Sequence, residues 1–202
     1  DIALTTPPPA QAAQRPGAPT APQAAAQQQQ PPPATQPELL AARRLETGGT
    51  RVENARSAGI TTALVTPRTG IFIGQSALVN LAGETPLKMV VKSPTALHIG
   101  FTPVGGALGG SFPGSLMGVV AHIRQTLLDA QRYGAVWERY RRNPRGVERP
   151  EYNESLEALQ PVLKGQMPVI MAVNSELEVR RAIKLAEEFN LKYILSGAIE
   201  AY

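Results

Sequence analysis

The chain has no cysteine and only two histidines, His98 and His122, in 202 residues. Without cysteine there are no disulfides, thiolate zinc sites or cysteine nucleophiles. Zinc hydrolases commonly take three protein ligands from His, Asp, Glu or Cys, so a metal centre here would be poor in imidazole. Aromatic residues make up 5% of the chain, with a single tryptophan. No apolar run approaches the ~20 residues of a membrane span. The first residues also lack the basic region and apolar core of a signal peptide.

What is present is unevenly distributed. The first 37 residues, "DIALTTPPPAQAAQRPGAPTAPQAAAQQQQPPPATQP", are mostly Pro, Ala and Gln. Such a segment buries too little apolar area to offset an ordering entropy of roughly 1–2 kcal/mol per residue. Residues 1–37 are therefore expected to be a disordered segment of local polyproline-II character, and residues 38–202 a domain. The formal charge is +4, with the basic excess around Arg139 to Arg149. A surplus of this size gives solubility without naming an anionic partner. A chain that opens on Asp1 and closes on "GAIEAY" reads as a processed or truncated product.

Along the domain, "ELLAARRLETGGTRVENARSAGI" suggests a short helix broken at Gly48-Gly49 and a second closing at Gly59. "ITTALVT" is a β-branched run that reads as a strand buried on both faces, as in a parallel sheet. From Pro67 to Gly114, short apolar runs between glycines predict short strands and loops. The spacing of Leu116, Val119, Val120, Ile123, Leu127 and Leu128 predicts a long helix ending before Pro144. Asn153 is placed to cap a helix carrying Leu156, Leu159 and Leu163, closed by Gly165. Finally, "MPVIMAV" predicts a strand, Ser175 with Glu178 a capping box, and "LKYILSG" a second strand. Together these make a βαβ unit with parallel strands.

Two local signals suggest ligands. "RYGAVWERYRRNPRGVERPEY" combines Arg with Tyr and Trp, as nucleic-acid surfaces do. Glu138, Glu148 and Glu151 interleave, however, which favours a solvated helix end and no nucleic-acid partner. "VGGALGGSFPGS" offers glycine amides ahead of a helix, but no Lys-Ser/Thr follows as a phosphate loop needs, and a lid-like loop is the better reading.

"AGITTALVTPRTGIFIGQSALVNLAGETP" and "PVIMAVNSELEVRRAIKLAEEFNLKYILSGAIEAY" together resemble the metal-dependent amidohydrolase superfamily, in its imidazolonepropionase-like branch, over roughly Glu38 to Tyr202. The resemblance implies an α/β fold, here part of a (β/α)₈ TIM-type barrel with parallel strands. Metal ligands would lie at the C-terminal ends of the strands. It also implies hydrolysis of C–N bonds in linear or cyclic amides, with zinc or another divalent metal polarising the carbonyl and activating water. By the same resemblance, a His-x-His would fall on Ala172 and Asn174, and a further histidine on Gly197. Ala172 and Gly197 have no donor atom and Asn174 only an amide oxygen, so no metal is expected to be held by this chain.

Asn174, Ser196 and Glu200 are the residues expected near the barrel mouth, where they would contact a small amide or lactam substrate. His98 and His122 are read as packed or surface residues. Two readings stay open. One is a fragment of an amidohydrolase with ligands outside the present chain, for instance an upstream His-x-His and a downstream Asp; the other is a non-catalytic barrel acting as a binding module, a homo-oligomer or the structural partner of an active paralogue. A periplasmic or secreted location is implied by the resemblance only.

Overall fold

The computed structural model describes residues 35–83, 85–103 and 113–200. In chain order its elements are α1 (Thr50–Ser57), β1 (Thr62–Val65), β2 (Phe72–Gln75), β3 (Ala77–Asn80), α2 (Pro86–Met89), β4 (Val90–Lys92), β5 (Leu97–Gly100), α3 (Leu116–Arg142), α4 (Glu154–Ala158), α5 (Gln160–Leu163), β6 (Val169–Val173), α6 (Glu176–Glu188) and β7 (Tyr193–Gly197).

The strands form two sheets, ordered β1-β3-β4 and β2-β5-β6-β7. In the larger one, β5, β6 and β7 run parallel, with Leu97 opposite Val169 and Val169 opposite Tyr193. β2 joins β5 antiparallel. Side chains alternate across a strand, so Leu97, Ile99, Val169, Met171 and Val173 share one face, and all are buried. α3 and α6 cover that face, α3 with Val119, Ile123, Leu127 and Ala130 and α6 with Val179, Ala182, Leu185 and Ala186. Each fully buried Val, Leu, Ile or Met side chain here contributes about 1.5–3 kcal/mol. At the surface, the Arg124 guanidinium bonds both carboxylate oxygens of Glu188 at 2.8–2.9 Å and joins the two helices.

The local signals have direct structural causes. Ser175 Oγ accepts from Glu178 N at 3.3 Å while the Glu178 carboxylate accepts from Ser175 N at 3.3 Å, so the β6–α6 turn closes as a reciprocal cap. Asn153 Oδ1 accepts from Leu156 N at 3.0 Å to start α4. The expected single helix from there to Gly165 is divided at Leu159, because Pro161 has no N–H to donate to the preceding turn. α3 ends at Arg142, ahead of Pro144 as expected. Its stripe is rotated, leaving Leu128 44% exposed and burying Ala130 instead.

The run "ITTALVT" corrects the expected topology. β1 lies antiparallel to β3, pairing Thr62 with Asn80 and Val65 with Ala77, and only Val65 is buried. It belongs to the smaller sheet, whose own core holds Leu45, Val52, Val65, Val79, Leu81 and Met89. The structure is thus mixed α/β with two sheets, and no closed barrel forms among the described residues. The first expected helix shrinks to a 3₁₀ turn at Ala41–Arg44. Thr35 to Leu40, partly within the segment expected to be disordered, runs along β2, bridging Thr35 to Phe72 and Leu40 to Gln75. The glycine-rich stretch 104–112 and most of residues 1–37 lie outside the described residues.

Candidate functional site

The carboxyl ends of the parallel strands lie at one edge of the larger sheet. Register sets Gly100 beside Ala172 and Ala172 beside Ser196. The alternation that buries Met171 and Val173 turns this row to the face away from the helices, where Ala172 is exposed and Ser196 half-buried. One row further in, on the same face, stand His98, Ile170 and Ile194.

Asn174 and Glu200 meet through the main chain rather than across a cleft. Glu200 N donates to the Asn174 carbonyl at 3.2 Å, and the Glu200 carboxylate accepts from Glu176 N at 3.0 Å. Asn174 N in turn donates to the Glu178 carboxylate at 2.8 Å. The Glu200 carboxylate therefore bonds the first amide of α6 and the Glu178 carboxylate the two amides just before it, at the end of the helix that favours negative charge. Ser196 stands on the neighbouring strand, so the three expected site residues surround the same strand ends.

Gly197 is more constrained than its lack of a side chain suggests. Its φ of +90° is a conformation that L side chains rarely adopt, and a Cβ added there would sit 2.7 Å from the Val173 carbonyl oxygen and 2.9 Å from Asn174 Oδ1. A histidine here would carry a strained backbone and force the Val173 and Asn174 atoms to shift. The donor set therefore does not suit a divalent cation: Ala172 and Gly197 supply nothing, Asn174 one amide oxygen, and the two carboxylates bond the main-chain amides of Asn174, Ser175 and Glu176. Among the described residues, no group of three or more His, Cys, Asp or Glu is arranged to hold a metal ion.

His98 is the packed strand histidine that the sequence suggests, and the structure adds that it shares a face with Ala172. It is 8% exposed, and its Nε2 has no hydrogen-bond partner among the described residues. Burial lowers its pKa from 6.5 to about 4, so the ring is neutral at physiological pH. Counting strand alternation back from Ala172 would have put it on the same face, had the β5–β6 register been known. His122 lies elsewhere, on α3, with Nε2 2.6 Å from Thr35 Oγ1, and burial lowers its pKa as well.

No protein-family model matches the sequence, and neither does any curated protein sequence. Among solved structures, an amidohydrolase from Thermotoga maritima MSB8 matches with a TM-score of 0.75 and 22% identity. This chain shares its fold with an amidohydrolase. The match covers 84% of this chain and 45% of that one, so this chain spans less than half the length of its structural relative. At this identity the likeness carries architecture, and the roles of individual residues rest on the geometry above. No helix among the described residues is long and apolar enough to cross a membrane.

Proposed function

We infer that this chain is an amidohydrolase-like scaffold segment whose β6 and β7 ends bind or position a small polar ligand without holding a metal. The observation that carries this reading is Gly197, whose conformation and 2.7 Å approach to the Val173 carbonyl leave no room for a ligating side chain. Ala172 beside it has no donor. Asn174 and Ser196 are the groups at these ends that can hydrogen-bond an amide or lactam, and Glu200 fixes the turn that presents Asn174. The segment then serves as a binding module, or as the structural partner of a copy or paralogue that carries the chemistry.

The shared fold favours a second reading, in which amide hydrolysis depends on metal ligands outside these positions. A metal held without second-shell support here would be poorly oriented, which ranks this reading below the first. Elemental analysis of the purified protein, together with an amide and lactam hydrolysis assay, separates the two. The first reading expects substoichiometric metal and no hydrolysis that depends on Asn174. Stoichiometric zinc with hydrolysis lost in Ala172→Asp, which crowds the proposed ligand row, would overturn it.

A further inference from the structure

The two edges of the larger sheet differ. Along β2, residues 35–40 bond to the free side, Gln36 N donating to the Phe72 carbonyl and Gln75 N to that of Leu39. β7 lies at the other edge, and no strand or bridge among the described residues covers it. Edge strands are ordinarily guarded by a lysine, a proline or a bulge. The five residues of β7, "YILSG", include no charge and no proline, and their register with β6 runs without a shift. Apolar surface gathers at this edge: Tyr193 is 40% exposed, Ile194 53% and Ile199 76%.

Which main-chain groups are free follows from the ladder. Val169 N donates to the Lys192 carbonyl, and Ala198 N to the Val173 carbonyl. In a parallel pair alternate residues turn to the neighbouring strand, so Ile194 and Ser196 bond β6 between those two points. Tyr193, Leu195 and Gly197 turn their N–H and C=O outward, a template for one more strand.

A second copy of the same strand fits this template. Pairing one edge with itself is isologous, and a two-fold axis normal to the sheet makes the strands antiparallel. Hydrogen-bonded pairs then form between residues whose groups both point outward. Centring the axis on Leu195 pairs that residue with itself and sets Tyr193 opposite the partner's Gly197, which has no side chain to obstruct the ring. The ends are complementary as well. Lys192 precedes β7 and Glu200 follows it, both exposed, and antiparallel pairing brings these opposite charges to the same end. We propose that β7 pairs with β7 of a second copy in this register, joining two four-stranded sheets into one. The pairing stands whether or not Asn174 and Ser196 bind a ligand.

The chain has no cysteine, so single cysteine substitutions in the full chain report the register. Under copper phenanthroline, Leu195→Cys should cross-link to a covalent dimer, because the two copies of that position have Cα atoms about 5.5 Å apart, within reach of a disulfide. Tyr193→Cys should not, since its two copies lie four residues apart along the strands, about 14 Å. Sedimentation velocity of the unaltered chain should show a dimer that forms with rising concentration and stops at two. Tyr193→Pro removes an outward N–H from each copy and leaves the bonds to β6 in place, so the dimer dissociation constant should rise about tenfold or more. A chain that stays monomeric at every concentration overturns the proposal. So do equal cross-linking of the two cysteine variants, association that continues past two copies, and a dimer indifferent to Tyr193→Pro while circular dichroism shows the fold intact.

Discussion

Substituting Gly197 tests whether the strand ends are closed to a ligating side chain. Gly197→Ala places a Cβ at a φ of +90° and 2.7 Å from the Val173 carbonyl oxygen. The backbone strain costs on the order of 1–3 kcal/mol. Forcing the Val173 and Asn174 atoms apart adds about 1–3 kcal/mol, as overpacking does. The combined loss is about 2–6 kcal/mol. Gly165→Ala is the control, because its φ is +66° and an added Cβ would meet only Lys192 Cε at 3.7 Å, so it carries strain without a clash. Urea unfolding measures both. With a slope of about 2 kcal/mol per M, Gly197→Ala should shift the midpoint down by roughly 1–3 M and Gly165→Ala by about half of that or less. Equal shifts in the two variants, at unchanged slope, would refute the reasoning, since the Val173 contact would then cost nothing and a histidine at 197 could be accommodated.

Four further outcomes follow from the structure. His98 has a folded pKa of about 4 against 6.5 unfolded. Between those pH values only the unfolded chain takes up the proton, so stability is full above 6.5 and falls by up to about 3 kcal/mol as pH drops to 4; urea midpoints against pH should lose much of this slope in His98→Gln. Ile123→Ala should cost about 2–5 kcal/mol by leaving a cavity in the larger core, while Leu128→Ala, on the exposed face of the same helix, should stay within about 0.5 kcal/mol in the same assay. Ser175→Ala removes the hydroxyl half of the α6 capping box and should cost about 1 kcal/mol in thermal or urea unfolding. Ile194 is 53% exposed on β7, the edge strand of the larger sheet; such an edge can pair with another chain, and Ile194→Lys should lower the self-association seen in sedimentation velocity.

Much of the secondary structure is legible in particular residues. Ser175 with Glu178, Asn153, Gly59 and Gly165 act on their own neighbours within a few residues, and the structure shows each where its local chemistry puts it. α3 is legible for a related reason: a sustained helical repeat commits a helix whatever it packs against. Its buried face was misjudged by one step, at Leu128, because the angle at which a helix meets a sheet is set by the sheet. The candidate site was half legible. Ala172 and Asn174 follow from the end of one strand, whereas the obstruction at Gly197 comes from the backbone of another.

The sequence by itself determined the caps at Asn153 and Ser175, the end of α3 before Pro144, that β6, α6 and β7 form a parallel unit, and that Ala172 and Gly197 bring no metal donor. Only the tertiary structure decided that β1 pairs antiparallel with β3 in a separate sheet, that His98 shares a face with Ala172, and that Thr35 is tied to His122. The physical reason is range. Caps and helical periodicity are interactions among residues a few positions apart, which a chain carries wherever it goes. A four-residue strand has the same pattern for any partner, and its choice is made by burial and hydrogen bonding with residues far along the chain.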